Sequence, residues 1–188
     1  LTNSCDVLIA IGMRFDDRIT GDLSTYAKQA KIVHIEIDPA EIDKNVKADA
    51  PVVGDAKAAL KALLPLIKPA EHLEWRAEFD YYFKEEHEKI TLKDVFHEGD
   101  QIKMGEAIAM MSDKTKGEAV VVTDVGQHQM WVAQYYPFNK PRHWINSGGL
   151  GTMGFGLPAA IGVKLAFPES EVACVTGDAS IQMCIQEL

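Results

Sequence analysis

Short apolar runs, each closing on glycine or an acid, punctuate the first third of the chain. Val7 to Gly12 is continuously apolar and ends in glycine, the pattern of a parallel strand buried on both faces. Ile32 to Asp38 reads as a second strand and Pro51 to Asp55 as a third, followed by a helix over Ala56 to Leu64. Repeated strand–Asp–helix units with helical crossovers predict a doubly wound parallel sheet, an α/β fold. Three strands are few for such a domain, so its first half is expected to lie outside these residues. His34, inside a strand, is read as structural.

Glu71 to Glu88 predicts a helix whose Leu73, Trp75, Phe79, Tyr82 and Phe83 form a packing stripe. Lys89 to Gln101 is polar and unpatterned, read as a surface linker; His87 and His97 lie outside metal-motif spacing. Ile102 to Ser112 is an amphipathic helix, and Ala119 to Asp124 a buried strand that opens a second α/β unit. A strand-to-helix turn, Val125-Gly126-Gln127-His128-Gln129-Met130-Trp131, comes next. The pattern divides the chain into residues 1–68, a helical linker over 69–101, and residues 102–188.

Composition narrows the classes. Hydrophobic content of 47% and charged content of 25% are those of a globular protein. A net charge of −9 argues against nucleic acid or a membrane surface as a partner. No apolar run reaches the roughly 18 residues that span a bilayer, and no basic segment of a signal peptide opens the chain. Cys5, Cys174 and Cys184 lack metal-ligand spacing and are read as reduced, buried thiols of a cytoplasmic protein. The chain starts without methionine before a strand and stops inside a helical pattern, as an internal piece would.

Ser147 to Pro158 carries five glycines in twelve residues. Inside a helix or strand each would cost roughly 0.5–1 kcal/mol against alanine. The run therefore suits a sharp turn where backbone approaches another molecule. A helix over Ala159 to Ala166 and a strand, Val172 to Thr176, follow, and the strand delivers Gly177-Asp178-Ala179-Ser180 to a helix start. Helix N–H groups beside a carboxylate suit a metal-bound phosphate. Met13-Arg14-Phe15-Asp16-Asp17-Arg18 follows the first strand, where open α/β sheets place ligands. Its charges can clamp a phosphate or ribose, or simply pair with each other in a solvated loop. In extended backbone, Arg14, Asp16 and Arg18 would share one side. Asp38 can bond a ribose or flavin tail, or cap the turn that Pro39 starts. His128 at a helix start can donate to phosphate, or cap.

The Gly-Asp-Ala-Ser segment with the glycine run resembles the thiamine-diphosphate-dependent enzymes. With Arg-Phe-Asp-Asp-Arg and Thr20-Gly21, it resembles among them the biosynthetic, FAD-containing acetolactate synthases, along essentially the whole chain. The resemblance implies the second half of an FAD-binding middle domain followed by the first half of a thiamine-diphosphate-binding domain. It implies FAD contacts at Gly12, Arg14, Asp16, Asp17, Glu36, Asp38 and Asp55, with Arg18 reaching toward the substrate. It implies thiamine diphosphate contacts at Val125, Gly126, Gln127, His128, Gly177, Asp178, Ala179 and Ser180, with Asp178 on Mg²⁺. The Gly151 carbonyl and the Met153 thioether would hold the aminopyrimidine. Implied substrates are pyruvate and 2-ketobutyrate, in branched-chain amino-acid synthesis. Implied partners are a second copy of the chain, as homodimer or larger oligomer, and a small regulatory subunit.

The family's activating glutamate belongs to a preceding domain. Its second metal ligand, an asparagine some 25–30 residues past the Gly-Asp pair, would fall beyond Leu188. The 188 residues alone are therefore expected to be inactive. The competing readings are a related thiamine enzyme (pyruvate oxidase, glyoxylate carboligase or a FAD-free acetolactate synthase) and a non-catalytic nucleotide-binding or assembly module.

Overall fold

A computed structural model describes residues 1–96 and 98–188; His97 lies outside the described residues. The chain forms two compact units, Leu1–Asp80 and Tyr81–Leu188.

The first unit holds β1 (Val7–Ile11), β2 (Lys31–Glu36) and β3 (Ala50–Val53), paired in parallel in the order β1-β2-β3. The crossovers differ from the expectation of helices. Between β1 and β2 the only α-helix is the four-residue α1 (Asp17–Thr20), and between β2 and β3 the chain makes a 3-10 turn, Pro39–Glu41. A full helix, α2 (Ala56–Leu63), comes only after β3, capped by the Asp55 carboxylate on the Ala58 N–H at 2.9 Å. The short crossovers pack on one face of the sheet, where Ala10, Phe15, Tyr26, Ala27, Ala30, Ile32 and Ala48 form the core. Val7, Ile9 and Ile11 point the other way and remain 44–49% exposed. β1 is thus covered on one face, not the expected two.

Helix α3 (Leu73–Glu86) runs on through a π-helical turn, His87–Thr91, into α4 (Leu92–Val95). Helical backbone therefore occupies the first half of the segment read as linker. Its aromatic stripe is mostly outward: Leu73, Tyr82 and Phe83 are exposed, while Trp75 and Phe79 stack edge-on at 5.3 Å.

In the second unit α5 (Met104–Thr115) precedes β4 (Val120–Thr123), α6 (Gln127–Tyr135) and β5 (Trp144–Ile145). Then come α7 (Gly156–Ala166), β6 (Val172–Val175) and α8 (Asp178–Gln182). All strands are parallel, in the order β5-β4-β6. From the central β4 the chain goes first to one side and then to the other. The order reverses at β4, and such a switch opens a crevice at the strands' carboxyl ends. β4 is buried at every position, as its unbroken Val-Val-Val predicts. Ile108, Ala119, Val121, Val132, Tyr135 and Tyr136 form the core here. α7 tolerates Pro158 because the first four N–H groups of a helix need no internal acceptor.

The thiols differ from expectation. Cys174 is exposed and Cys5 and Cys184 are half-buried, all free. Cys174 lies on β6, an edge strand that is never fully covered.

α5 extends three residues beyond the expected Ser112, and Thr115 explains why. Its Oγ1 shares a buried hydrogen bond of 2.7 Å with the Tyr136 hydroxyl. Thr115→Val leaves that hydroxyl without its partner, at a cost of about 1–3 kcal/mol. Urea unfolding should show the loss; an unchanged midpoint would remove this bond from the account.

Candidate functional site

A cleft of about 460 Å³ opens at the carboxyl ends of β4 and β6, beside the switch point. The turn after β4 contributes Val125, Gly126, Gln127 and His128, the turn after β6 Gly177, Asp178, Ala179 and Ser180, and the glycine-rich loop Met153. Parallel pairing brings these distant segments together: both strands point the same way, so both turns reach one edge. Met104 and Thr176, which no motif singled out, also line it. Gly151 lies just behind, where a Cβ would come within 3.9 Å of Val125 Cγ1.

His128 is buried at the base of α6, and its Nε2 is enclosed with no hydrogen-bond partner among the described residues. A Cβ on Gly126 would meet the imidazole at 2.8 Å and one on Gly177 at 3.2 Å. The two glycines thus make room for the ring between the β4 and β6 turns. An enclosed nitrogen without a partner is costly unless a ligand completes it. It is the strongest sign of an absent polar group here.

Asp178 begins α8, exposed, its Oδ1 accepting the Ala179 N–H at 2.8 Å. The Ser180 hydroxyl instead donates to the Val125 carbonyl at 3.1 Å, tying the two turns together. Ser180 therefore braces the cleft through its side chain. Among the described residues no three His, Cys, Asp or Glu side chains cluster as a metal site. One carboxylate suits a hard cation that fills its shell with phosphate oxygens and water. The donor set fits a metal-bound diphosphate.

Behind the cleft is Asp124, which the sequence showed only as the acid closing a strand. It is fully buried, and both its oxygens accept backbone N–H groups.

The first unit gathers its acids at one sheet edge. Gly12 N–H donates to the Ile35 carbonyl and Gly54 N–H to the Glu36 carbonyl, both at 2.9 Å, so the three strand ends lie side by side. The arginine loop is not extended. Phe15 turns left-handed at φ 52° and is buried beside His34, with ring centroids 5.0 Å apart. α1 begins two residues later, so Arg14, Asp16 and Arg18 do not alternate along a strand. His34 Nε2 contacts the Met13 carbonyl at 2.8 Å and fixes the start of the loop, the structural place expected for it.

Arg14 pairs with Asp16 at 3.2 Å, and Asp16 also caps α1 through the Arg18 N–H. The Arg18 guanidinium has no partner among the described residues. Asp17 lies exposed in the first turn of α1. Glu36 Oε1 accepts the N–H groups of Ile37 and Asp38, and Asp38 Oδ1 that of Ala40. Asp38 and Asp55 are therefore caps, whatever else they hold.

Two family profiles match the two units. One, described as thiamine pyrophosphate enzyme, central domain, covers residues 1–63. The other, thiamine pyrophosphate enzyme, C-terminal TPP binding domain, covers residues 124–188, which hold almost all of the cleft. The chain belongs to the thiamine pyrophosphate enzymes. Among members of that family it is 52% identical over 187 residues to the acetolactate synthase large subunit of Buchnera aphidicola subsp. Schizaphis graminum, covering 97% of this chain and 32% of that protein. To the acetolactate synthase isozyme 3 large subunit of Escherichia coli (strain K12) it is 50% identical over 193 residues, 99% of this chain and 33% of that one. To acetolactate synthase 1, chloroplastic, of Nicotiana tabacum the identity is 45% over 192 residues, 99% and 28%. The chain spans about a third of the length of the curated relatives it matches. No helix of the described residues is long and apolar enough to cross a membrane.

The glycine sandwich around His128 gives a direct test. Gly126→Ala forces a methyl into the ring and should lower stability by about 1–3 kcal/mol. Gly149→Ala, with nothing within 4 Å of the added carbon, should stay within about 0.5 kcal/mol of the parent. Equal unfolding midpoints for the two variants would contradict the packing.

Proposed function

We propose that the protein of which these residues are part is an acetolactate synthase using thiamine diphosphate, Mg²⁺ and FAD. The unpartnered His128 Nε2, enclosed in a cleft that also holds Asp178 and Met153, carries the reading. The identity of about half to large subunits of that name supports it. Thiamine diphosphate, when bound, supplies the carbanion chemistry by which pyruvate loses carbon dioxide and its two-carbon unit joins a second 2-keto acid, pyruvate or 2-ketobutyrate.

The chain's own residues bind and orient. His128 and Gln127 take the diphosphate, and Asp178 takes the Mg²⁺ that neutralises it. Met153 and the Gly151 carbonyl hold the aminopyrimidine end, where a polarizable thioether suits an aromatic ring. FAD is assigned to the sheet edge of the first unit, with Gly12, Arg14, Asp16, Asp17, Glu36, Asp38 and Asp55 beside it. The Arg18 guanidinium, left unpaired, suits a keto-acid carboxylate. The relatives' name of large subunit supports a smaller regulatory subunit as partner, beside a second copy of the chain. Three free thiols suit the reducing cytoplasm.

In the full-length protein, Asp178→Ala should abolish Mg²⁺-dependent binding of thiamine diphosphate while the fold persists, because an exposed helix-start carboxylate carries no packing. Calorimetric titration checks this, and binding at parent affinity would take the metal away from Asp178. Arg18→Lys should lower kcat/KM for pyruvate about tenfold to a hundredfold with flavin absorbance intact, since lysine loses the bidentate contact. Arg14→Lys should weaken flavin retention instead. If Arg18→Lys sheds FAD and leaves pyruvate kinetics unchanged, the two arginines are assigned the wrong way round.

A further inference from the structure

We infer that Asp124 is a positioning residue: its buried carboxylate anchors the glycine-rich loop and thereby sets where Met153 stands in the cleft. This rests on the thiamine diphosphate reading above and deepens it. Asp124 ends β4, where its own N–H continues the pairing to the Val175 carbonyl at 3.0 Å. Its Oδ1 accepts the Val125 N–H at 2.8 Å and the Gly154 N–H at 3.0 Å, and its Oδ2 the Gly156 N–H at 3.0 Å. The side chain is 0% exposed, and no cationic side chain pairs with it among the described residues. Three backbone donors alone hold a buried carboxylate there, an arrangement worth keeping only if the position of those donors matters.

The loop has little else to hold it. Within it, the Gly151 N–H donates to the Ser147 carbonyl and the Thr152 N–H to the Ser147 Oγ, while Leu150 is 93% exposed. Apart from the Ala159 N–H on the Phe155 carbonyl, where the loop runs into α7, the hydrogen bonds tying residues 147–156 to the rest of the unit among the described residues are the two that end on Asp124. They bracket Phe155 and fall immediately after Met153. The approach is close: a Cβ on Gly156 would meet Asp124 Cβ and Oδ2 at 3.0 Å, and one on Gly154 would meet Met183 Cβ at 3.0 Å. Glycine at both places lets the loop backbone reach the carboxylate. Asp178 stands on the turn after β6, and the side chains of Asp178 and His128 make no contact with the Asp124 carboxylate among the hydrogen bonds of the described residues. Asp124 therefore governs, through Gly154 and Gly156, the end of the site that Met153 lines, and holds the phosphate end only by the Val125 N–H.

Two variants of the full-length protein test this. Asp124→Asn keeps the shape but replaces one acceptor oxygen by a donor, so at least one of the three N–H groups loses its partner. Gly156→Ala keeps the carboxylate and pushes the turn off it. In both, amide exchange at Gly154 or at residue 156 should quicken at least tenfold without ligand, and the Met153 methyl resonance should move. Affinity for thiamine diphosphate with Mg²⁺ should fall about tenfold or more, whereas affinity for Mg²⁺-pyrophosphate should stay at the parent value. Unchanged exchange and an unmoved methyl in both variants would overturn the anchor. Equal weakening of both probes, or of neither, would overturn the positioning role and leave a merely structural residue. A parent protein that binds neither probe would refute the cofactor reading instead, and the exchange rates and Met153 resonance would then judge the anchor alone.

Discussion

Parallel strand pairing is the constraint from which the site follows. Strands that run the same way end at the same edge, so every turn that leaves a strand's carboxyl end is delivered to one rim. In the second unit β4 lies between β5 and β6, and the reversal of order there opens a crevice that the turns after β4 and β6 face. Gln127 and His128 come from one turn and Gly177 to Ser180 from the other, some fifty residues apart in sequence. Ser180 then locks the turns together through the Val125 carbonyl. Burial of the β4 valines supplies the rigidity on which these contacts depend.

The site is built largely from backbone and small residues because polar groups must come close without clashing. Gly126 and Gly177 leave space for an imidazole, and Gly156 leaves space for a carboxylate. One of these buried polar groups is satisfied from within, with three N–H donors on Asp124. The other, His128 Nε2, is enclosed without a partner among the described residues. A fully satisfied group holds shape, and an open one calls for a ligand.

Much of this was legible in the residues. Largely apolar runs located five of the six strands within a residue or two, and glycine with aspartate at their ends marked where ligand-facing turns fall. What escaped was set by neighbours rather than by local pattern. β5 is two residues, Trp144 and Ile145, too short for any period to show. The open face of β1 follows from crossovers that are turns where helices were expected, and apolar residues alone do not reveal whether something covers them. The shape of the arginine loop was not legible, because nothing in Arg-Phe-Asp-Asp-Arg announces a left-handed phenylalanine; Phe15 takes that conformation to bury its ring beside His34 and Tyr26. The motif marked Ser180 as a residue beside the ligand, but not that its hydroxyl donates to the Val125 carbonyl fifty-five residues back. Asp124 was visible only as one more acid closing a strand, since the loop it grips lies thirty residues on.

The central claim is that the cleft at the β4 and β6 turns receives a diphosphate through His128 Nε2, a buried ring nitrogen without a partner among the described residues. Nitrogen-15 resonances of the His128 imidazole, followed while thiamine diphosphate is titrated into the full-length protein with Mg²⁺, test it most directly. The account predicts a saturable shift of Nε2 that tracks binding and disappears when Mg²⁺ is withheld. Thiamine diphosphate that binds at full affinity while His128 Nε2 stays at its ligand-free position would contradict it.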